Sequence, residues 1–305
     1  MRKLLLEQRF DAVSLHTTLA AAVVRAAILT LPKKLRPKVF YICHGYLFNQ
    51  NDGAASLKYL IPEKLCTSVT DVLMVMNRED EQIAEKHRLY NGELIYLNGM
   101  GLPDGKFSPP SFERHAEAKK AFGFTSDDIL FVSSAELTKR KNQAMLISAF
   151  AEALPHMPNA YLLLAGKGSE LESYQALCRK LGLKDRVRFL GYVTDMPMLL
   201  DAADAFLSSS KIEGLPFAVM EALACGLPAA LSDIKGHREL AQTGNTAWLF
   251  SDEQQLAELI KKIYLLPQMR YNYDLTPFML SNAAPVLNSV YIDKQTEKGK
   301  VGTVL

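Results

Sequence analysis

The chain has 305 residues, of which 49% are hydrophobic and 22% charged, and its formal net charge at pH 7 is +2. These values are typical of globular domains and argue against intrinsic disorder, and the near balance of charge gives no indication of nucleic-acid binding. The sequence has no run of about 18 uncharged apolar residues, so no membrane-spanning helix is expected.

Short aliphatic segments alternate with helical patterns along the whole chain. In chain order, strands are predicted over residues 12–15, 38–43, 71–76, 93–97, 129–133, 160–165, 186–190, 205–208 and 227–231. Helices are predicted over residues 19–31, 79–89, 142–153, 171–181, 217–225, 254–265 and 276–291. This alternation is typical of parallel sheets covered by helices on both faces. The sequence therefore predicts an α/β protein.

A run rich in glycine and proline at residues 99–110 marks the boundary between two domains. About four predicted strands precede this run and at least five follow it. Ligands of doubly wound sheets bind in the crevice at the carboxyl ends of the strands. The loops that follow the predicted strands are therefore the places to look for chemistry.

The segment 208–222 joins a predicted strand to a helix through a polar loop that contains Gly214. Pro216 is predicted as the first helical residue. A helix that begins at this position directs unpaired backbone N–H groups into the crevice, and together with the helix dipole they favour a phosphate group. Gly214 would allow the backbone to approach such a ligand closely. The segment therefore predicts a phosphate-binding loop.

Two carboxylates belong to this segment, Glu213 in the loop and Glu221 in the second turn of the helix. Carboxylates accept hydrogen bonds from the vicinal hydroxyls of a ribose or a hexose. Two solvated glutamates are the commoner explanation of the spacing alone. The apolar neighbours of Glu221 on both sides favour a ligand-directed acid.

Glu213 and Glu221, with seven residues between them, match the E-x7-E motif of retaining GT-B glycosyltransferases of family 4, as does the longer segment 213–228. The chain is most similar to the subgroup that builds bacterial capsule and exopolysaccharide repeat units, and the resemblance runs in order over nearly the whole chain. It implies two Rossmann-like doubly wound domains and a C-terminal crossover helix. The implied domains are an acceptor-side domain at 1–108, a nucleotide-sugar donor domain at 109–274, and a crossover helix and tail at 275–305 that pack back on the first domain.

Further family positions fall on this chain after the strands of the second domain. Lys141 matches the lysine that contacts the donor diphosphate, and a flexible cation suits that role. Glu136 stands where the family usually has an arginine, which leaves one fewer cation for the phosphates. Gly166 lies in a segment that resembles the family's glycine turn, and Tyr192 ends the segment whose backbone faces the base. The resemblance assigns nucleotide-sugar binding to Glu136, Gly166 and Tyr192. It assigns the same role to residues of the segment 208–222, namely Gly214, Leu215, Pro216, Phe217 and Glu221.

In the first domain, His44 follows a predicted strand and matches a family histidine directed at the donor sugar and its phosphate. A lone histidine at a strand end is more often structural, but the resemblance favours a functional His44. His16 ends another predicted strand and is an acceptor-side candidate. The resemblance also places Asn98, Gly99 and Gly101 in a glycine-rich segment that helps to set the hinge, and gives Asp195 and Asp204 a role in shaping the surrounding loops.

The chain departs from the family pattern at its N-terminus, because no leading strand and glycine-bearing loop are found there. The first domain is therefore expected to be shortened, with an exposed apolar edge that invites self-association. Residues 1–50 contain eight Lys or Arg against two acidic residues. A solvated basic face is the common explanation, and a surface attracted to anionic lipid at the inner leaflet of a membrane is the alternative, at about 1 kcal/mol per basic side chain.

The N-terminus and the cysteines favour a cytoplasmic location. Glu7 and Arg9 interrupt the first apolar run, so no signal peptide is predicted. The four cysteines form no CxxC or Cys/His pattern, which argues against a zinc site or a disulfide framework. They are Cys43, Cys66, Cys178 and Cys225.

The leading hypothesis is a hexosyltransferase that uses a nucleoside diphosphate sugar, with UDP favoured, and a polyprenyl-diphosphate-linked saccharide acceptor. The resemblance gives Glu213, Lys141 and His44 the catalytic positions, and no metal and no further cofactor are expected. The alternative is a truncated or pseudoenzyme module that binds the nucleotide sugar without transferring it. A dehydrogenase is disfavoured, because none of the predicted strands is followed by G-x-G-x-x-G with an acid about 20 residues on.

Overall fold

The computed structural model describes residues 1–49, 52–183, 185–266, 268–292 and 301–303. Contacts between Cα atoms divide the chain into two compact units. Unit 1 comprises Met1–Gly101, Glu213–Leu215 and Leu280–Leu305, and unit 2 comprises Leu102–Ile212 and Pro216–Met279.

The elements alternate between strand and helix, as the sequence predicts. The strands are β1 (Ala12–His16), β2 (Lys38–Cys43), β3 (Val72–Val75), β4 (Glu93–Tyr96), β5 (Ile129–Ser134), β6 (Ala160–Ala165), β7 (Val187–Gly191), β8 (Ala205–Ser208), β9 (Ala229–Ser232), β10 (Ala247–Phe250) and β11 (Val301–Thr303). The helices are α1 (Arg2–Gln8), α2 (Thr18–Leu29), α3 (Leu57–Cys66), α4 (Arg78–His87), α5 (Phe112–Ala121), α6 (Gln143–Ala153), α7 (Leu171–Lys180), α8 (Met196–Ala202), α9 (Phe217–Ala224), α10 (Lys235–Ala241), α11 (Glu253–Tyr264) and α12 (Leu280–Ile292).

Each unit is built on one parallel sheet. The sheet of unit 1 has the order β11-β1-β2-β3-β4, and that of unit 2 has the order β10-β9-β8-β5-β6-β7. In unit 2 the chain moves outward from β5 in one direction through β6 and β7, and in the other through β8, β9 and β10. The strand order therefore reverses between β5 and β8, which makes that gap the ligand-binding position of a doubly wound sheet.

Burial of apolar side chains on the sheets stabilises both units. In unit 2 the fully buried rings of Phe131 and Phe150 meet edge to face at 6.1 Å. Burying one such side chain contributes about 1.5–3 kcal/mol. In unit 1 the Arg25 guanidinium is fully buried and donates to Glu63 Oε2 at 2.8 Å, so this ion pair joins α2 to α3 through the core.

The predicted strands are confirmed within two residues at each end, and so are the predicted helices other than 276–291. The predicted helix 276–291 begins only at Leu280, because Met279 has an extended backbone; Pro285 is accommodated inside α12. The predicted strand 227–231 begins at Ala229, after Pro228, which has no N–H to pair. The sequence interpretation missed α1, α3, α5, α8, α10, β10 and β11. Part of the predicted C-terminal tail, residues 293–300 and 304–305, lies outside the described residues.

Candidate functional site

In unit 2, the loops after β5 and β8 are joined at the point where the strand order reverses. The Ser209 hydroxyl donates to the carbonyl oxygens of Lys141 and Asn142 at 3.1 and 2.8 Å. Lys211 N donates to Arg140 O at 2.9 Å, and Arg140 Nη1 donates to Ile212 O at 3.2 Å. These bonds use main-chain groups of both loops, so they fix the two backbones against each other. The segment that holds Lys141 and the segment that leads to Glu213 are therefore one assembly.

The loop that carries Lys141 is a tight turn before α6. Lys141 N and Asn142 N both donate to Thr138 O, at 3.1 and 3.0 Å, and Asn142 adopts a left-handed conformation with φ 57°. The Lys141 side chain is half-buried. Glu136, at the start of the loop, is exposed, and its carbonyl oxygen accepts from Gln143 Nε2 at 2.9 Å. The turn thus places a cation at the carboxyl end of β5.

Gly166 follows β6 and allows close contact with the same loop. It has φ +144°, and a Cβ at this position would lie 1.9 Å from Ala135 O. Gly166 N donates to Gly191 O at 2.7 Å, which ties the end of β6 to the end of β7. Tyr192 comes next and its side chain is 73% exposed. The residues predicted to bind the nucleotide sugar, or the segments that lead to them, therefore follow four adjacent strands. These strands are β8, β5, β6 and β7.

Helix α9 begins at Phe217, as the predicted range 217–225 has it, and not at Pro216. Pro216 has an extended backbone, φ −76° and ψ 120°, and precedes the first helical residue, Phe217. Pro216 is therefore the N-cap residue, and the prediction that it opens the helix is wrong. Phe217 is 41% exposed, so the first turn of α9 presents a large apolar side chain to solvent.

Glu221 lies in the second turn of α9, as the sequence predicts, and is half-buried. Burial raises the pKa of this carboxyl, and the Lys106 ammonium opposes that shift. A carboxylate partly removed from water gains more from hydroxyl donors than an exposed one does. Glu221 is thus suited to accept hydrogen bonds from a ligand diol.

The tripeptide Glu213–Leu215 belongs by its contacts to unit 1, where it packs on the segment after β2. A Cβ on Gly214 would lie 2.1 Å from His44 O, and Asn77 Nδ2 donates to Gly214 O at 3.1 Å. Leu215 is buried beside Gly99, where an added Cβ would lie 2.8 Å from Leu215 Cδ2. Within unit 1 the structure thus brings Glu213 and Gly214 next to the backbone of His44.

Sequence reasoning missed Asn77 and Asp80, which hold this arrangement together. Asn77 caps α4: its Oδ1 accepts from Asp80 N at 2.8 Å, and its Nδ2 donates to Asp80 Oδ2 at 2.7 Å. Both residues are fully buried. The pattern Asn77-x-x-Asp80 after a buried strand is a recognisable helix-start signal, but that signal alone does not reveal the bond to Gly214.

His44 lies beside the other candidate histidine. His16 Nδ1 is 3.0 Å from His44 Nε2, and the ring centroids are 5.3 Å apart. Burial lowers the pKa of His44, with a further contribution from His16, and burial lowers the pKa of His16. The two strand ends therefore present a pair of imidazoles that favours the neutral state.

The remaining predicted positions lie in loops. Gly99 and Gly101 have positive φ, 75° and 89°, and a Cβ on Gly101 would lie 2.7 Å from Leu280 Cα. Asp195 caps α8 by accepting from Met198 N at 3.0 Å. Asp204 Oδ2 accepts from Leu130 N at 2.7 Å, so this acid fixes the loop before β8. Asn98 is half-buried after β4.

A third missed residue, His237, supports the end of β8. It is fully buried on α10, with Nδ1 2.9 Å from Ser232 O and Nε2 3.2 Å from Ser208 Oγ. Because a carbonyl only accepts, Nδ1 carries the proton and Nε2 accepts from the Ser208 hydroxyl. His237 therefore holds the strand end from which the 209–212 loop departs.

Among the residues with described positions, no group of three or more His, Cys, Asp or Glu side chains could hold a metal ion. In that same part of the chain, none of the helices is long and apolar enough to cross a membrane. The expected roles of the site residues and the expected independence from metal stay predictions.

Known proteins resemble this chain in both sequence and fold. The family model described as glycosyl transferases group 1 matches residues 115–274. The glycosyltransferase EpsD of Bacillus subtilis (strain 168) is 31% identical over 272 residues, which cover 88% of this chain and 71% of that protein. The UDP-Gal:alpha-D-GlcNAc-diphosphoundecaprenol alpha-1,3-galactosyltransferase of Escherichia coli is 27% identical over 251 residues, 79% of this chain and 62% of that protein.

Solved structures share the architecture. Sucrose-phosphate synthase from Thermosynechococcus elongatus superposes with a TM-score of 0.76 at 18% identity, over 94% of this chain and 74% of that one. Anabaena HepE in complex with UDP and glucose superposes with a TM-score of 0.70 at 20% identity, over 96% of this chain and 79% of that one. The family model covers more than half of the chain, and EpsD adds 31% identity over most of its own length. This chain is therefore a member of the glycosyl transferases group 1 and has the GT-B fold.

Proposed function

We propose that this chain transfers a hexosyl or N-acetylhexosaminyl group from a UDP-sugar, with retention, to a lipid-linked oligosaccharide in surface polysaccharide synthesis. The observation that carries the proposal is the set of hydrogen bonds between the Lys141 loop and the 209–212 loop at the strand-order reversal of unit 2. It joins the turn that carries Lys141 to the loop that leads toward α9, and a cation together with a helix N-terminus favours a phosphate ligand at the carboxyl ends of the strands.

The proposed roles follow from the chemistry of each group. Glu221 accepts hydrogen bonds from the ribose hydroxyls, and Glu213 from hydroxyls of the transferred sugar. Lys141 and the backbone of 214–217 stabilise the charge that develops on the diphosphate leaving group, which is electrostatic catalysis. His44 contacts the sugar or its phosphate. Lys141 and the dipole of α9 supply the positive potential that a divalent ion would otherwise provide, so we propose a reaction independent of added metal.

The choice of UDP and of a lipid-linked acceptor is supported by relatives. The Escherichia coli relative is named for UDP-Gal and for a diphosphoundecaprenol acceptor, and Anabaena HepE was solved with UDP and glucose. These are properties of those proteins, and their extension to this chain is the proposal.

Peripheral contact with the inner leaflet is part of the same proposal. The outward face of α3 carries Leu57, Ile61 and Leu65, which are 47%, 52% and 67% exposed, beside the exposed Lys58 and Lys64. A helix face that combines aliphatic and basic side chains is typical of interfacial binding to anionic lipid. Co-sedimentation with phosphatidylglycerol vesicles tests this contact; equal binding of the wild type and the Ile61→Asp variant would count against it.

Isothermal titration tests the donor site. UDP, UDP-GlcNAc and GDP are titrated into the full chain without metal and again with Mg²⁺. We expect micromolar binding of UDP that Mg²⁺ does not change, and at least tenfold weaker binding in Lys141→Ala and Glu221→Gln, because each loses a charge-assisted contact. The matched controls are Lys139→Ala, an exposed lysine in the same loop, and Glu172→Gln, an exposed glutamate on α7.

Three results would overturn parts of the proposal. Absence of nucleotide binding to folded protein contradicts the donor site, and binding only with Mg²⁺ contradicts metal independence. Tight binding without turnover of any polyprenyl-diphosphate-linked acceptor would identify a nucleotide-sugar-binding module instead of a transferase.

A further inference from the structure

Four side chains of unit 1 form one hydrogen-bonded line that ends on His44. The Tyr291 hydroxyl, from α12, is 2.7 Å from Ser14 Oγ. Ser14 Oγ is 3.4 Å from His16 Nε2, and His16 Nδ1 is 3.0 Å from His44 Nε2. The Tyr291 ring is held against Phe40, with ring centroids 5.0 Å apart. The C-terminal helix is thus connected to His44 through two residues of β1.

The protons along this line are coupled. Each contact needs one hydrogen, and each neutral imidazole carries one, so the tautomer of His16 determines that of His44. In one direction Tyr291 donates to Ser14, Ser14 to His16 Nε2, and His16 Nδ1–H to His44 Nε2. The His44 proton is then on Nδ1. In the opposite direction His44 donates through Nε2, and its Nδ1 is a bare acceptor.

The chemistry of the hydroxyls selects the first direction. A phenol is more acidic than the hydroxyl of serine and is the better donor, so Tyr291 donates and Ser14 passes its own hydrogen to His16. Burial, which lowers the pKa of both imidazoles, keeps the pair neutral and the line intact. In this direction His44 presents an Nδ1–H group. A phosphate or carbonyl-like oxygen of a ligand can accept a hydrogen bond from that group, since such an oxygen only accepts.

We propose that Ser14, His16 and Tyr291 are positioning residues that hold the His44 ring in its Nδ1–H tautomer, so that Nδ1 donates to an oxygen of the substrate. The donation from Nδ1 to a substrate oxygen rests on the proposed function, whereas the tautomer of His44 does not. The line also means that Nε2 of His44 is held by His16 and is not the atom that meets the ligand.

Nitrogen-15 NMR of the full chain tests the tautomer without any substrate. The chain has six histidines, and selective labelling with His44→Gln assigns the resonance of His44. We expect an Nδ1–H tautomer in the wild type. In Ser14→Ala and His16→Phe we expect His44 to move toward the Nε2–H form that free imidazole side chains favour. Tyr291→Phe is expected to give a mixture of the two forms, and Tyr90→Phe, on the same unit, serves as the matched control.

Activity provides the second readout. If the protein transfers the sugar of a UDP-sugar, Ser14→Ala and Tyr291→Phe are expected to lower kcat about five- to tenfold with little change in the KM for the UDP-sugar. This is the size of effect expected from one weakened hydrogen bond. An Nε2–H form of His44 in the wild type, or an unchanged His44 tautomer in folded Ser14→Ala and His16→Phe, would overturn the inference. Because the NMR result needs no ligand, it separates failure of the line from failure of the transferase proposal.

Discussion

Gly45 and Gly214 pack backbone against backbone: a Cβ on Gly45 would lie 2.8 Å from Gly214 Cα, and a Cβ on Gly214 would lie 2.1 Å from the carbonyl oxygen of His44. Neither contact ends on a movable side chain. Any larger residue at position 214 therefore has to separate the main chain of the E-x7-E loop from the segment that carries His44.

Gly214→Ala is accordingly expected to reduce transfer by tenfold or more, since displacement of a binding group by about 1 Å can cost that much or more. Steady-state kinetics and UDP titration measure the effect. Gly105→Ala is the control: Gly105 has φ +72° and open space around it, so alanine should cost stability there without affecting turnover. Equal activity losses in the two variants would show that the close contact has no special role.

Asn77 combines a helix cap with a bond to Gly214 O, and two substitutions separate these functions. Asn77→Ala should lower the free energy of unfolding by about 1–2 kcal/mol through loss of the cap. Asn77→Ser keeps an oxygen that can cap the helix but loses the amide N–H that bonds Gly214 O. Most of the stability lost in Asn77→Ala should therefore return, whereas the affinity for UDP should stay below that of the wild type in both variants.

Chemical denaturation and UDP titration measure the Asn77 variants together. Ser111→Ala removes a comparable cap from α5, where the Ser111 hydroxyl accepts from Arg114 N, and should change stability alone. A serine variant with wild-type affinity would contradict a role for the Asn77–Gly214 bond.

His237 is expected to matter through Ser208 and Ser232. His237→Phe removes the imidazole acceptor of the Ser208 hydroxyl and one of the two donors to the buried Ser232 carbonyl, which keeps only Ile234 N at 2.8 Å, and should cost about 1–3 kcal/mol of stability. It should also weaken UDP binding, since the 209–212 loop departs from Ser208. Thermal melts with and without UDP measure both effects, and His156→Phe, at an exposed position, is the control.

Stability should fall on acidification because of His16 and His44. Burial lowers the pKa of each in the folded state, whereas the unfolded chain keeps a value near 6.5. The unfolded state therefore binds more protons as the pH drops below about 6.5, and the free energy of unfolding decreases from there down to the folded pKa. The Tm of His16→Gln and His44→Gln should decrease less between pH 7.5 and 5.5 than that of the wild type or of His156→Gln. Parallel curves for all four proteins would exclude this source of acid sensitivity.

The elements that the sequence predicts best are those whose signal is local. Residues 39–42 of β2 and the whole of β6 are unbroken runs of aliphatic and aromatic residues, typical of buried parallel strands. Helix α3 was missed because Pro62 interrupts it, and a proline inside a helical pattern ordinarily ends the helix. Only contacts with the rest of unit 1, such as the buried Arg25–Glu63 pair, explain why α3 continues.

In the candidate site, the type of side chain was predictable but its partners were not. Lys141, Glu213 and Glu221 are readable from a motif. Asn77 reads as an ordinary helix cap, and its bond to Gly214 spans 137 positions of sequence. The Ser14–Tyr291 bond spans 277 positions. No local pattern specifies such a pairing, because sheet and helix packing decides which strand ends meet.

The division of the chain into two units also constrains how the protein is made. Unit 2 is nearly continuous in sequence, whereas unit 1 is assembled from both ends of the chain and the tripeptide Glu213–Leu215. On a ribosome, β1 and β2 are synthesised before almost all of unit 2, and α12 is synthesised after it. Native contacts of such long range form late and slowly. The packing of α12 with β1 and β2 is therefore completed only after unit 2 has been synthesised.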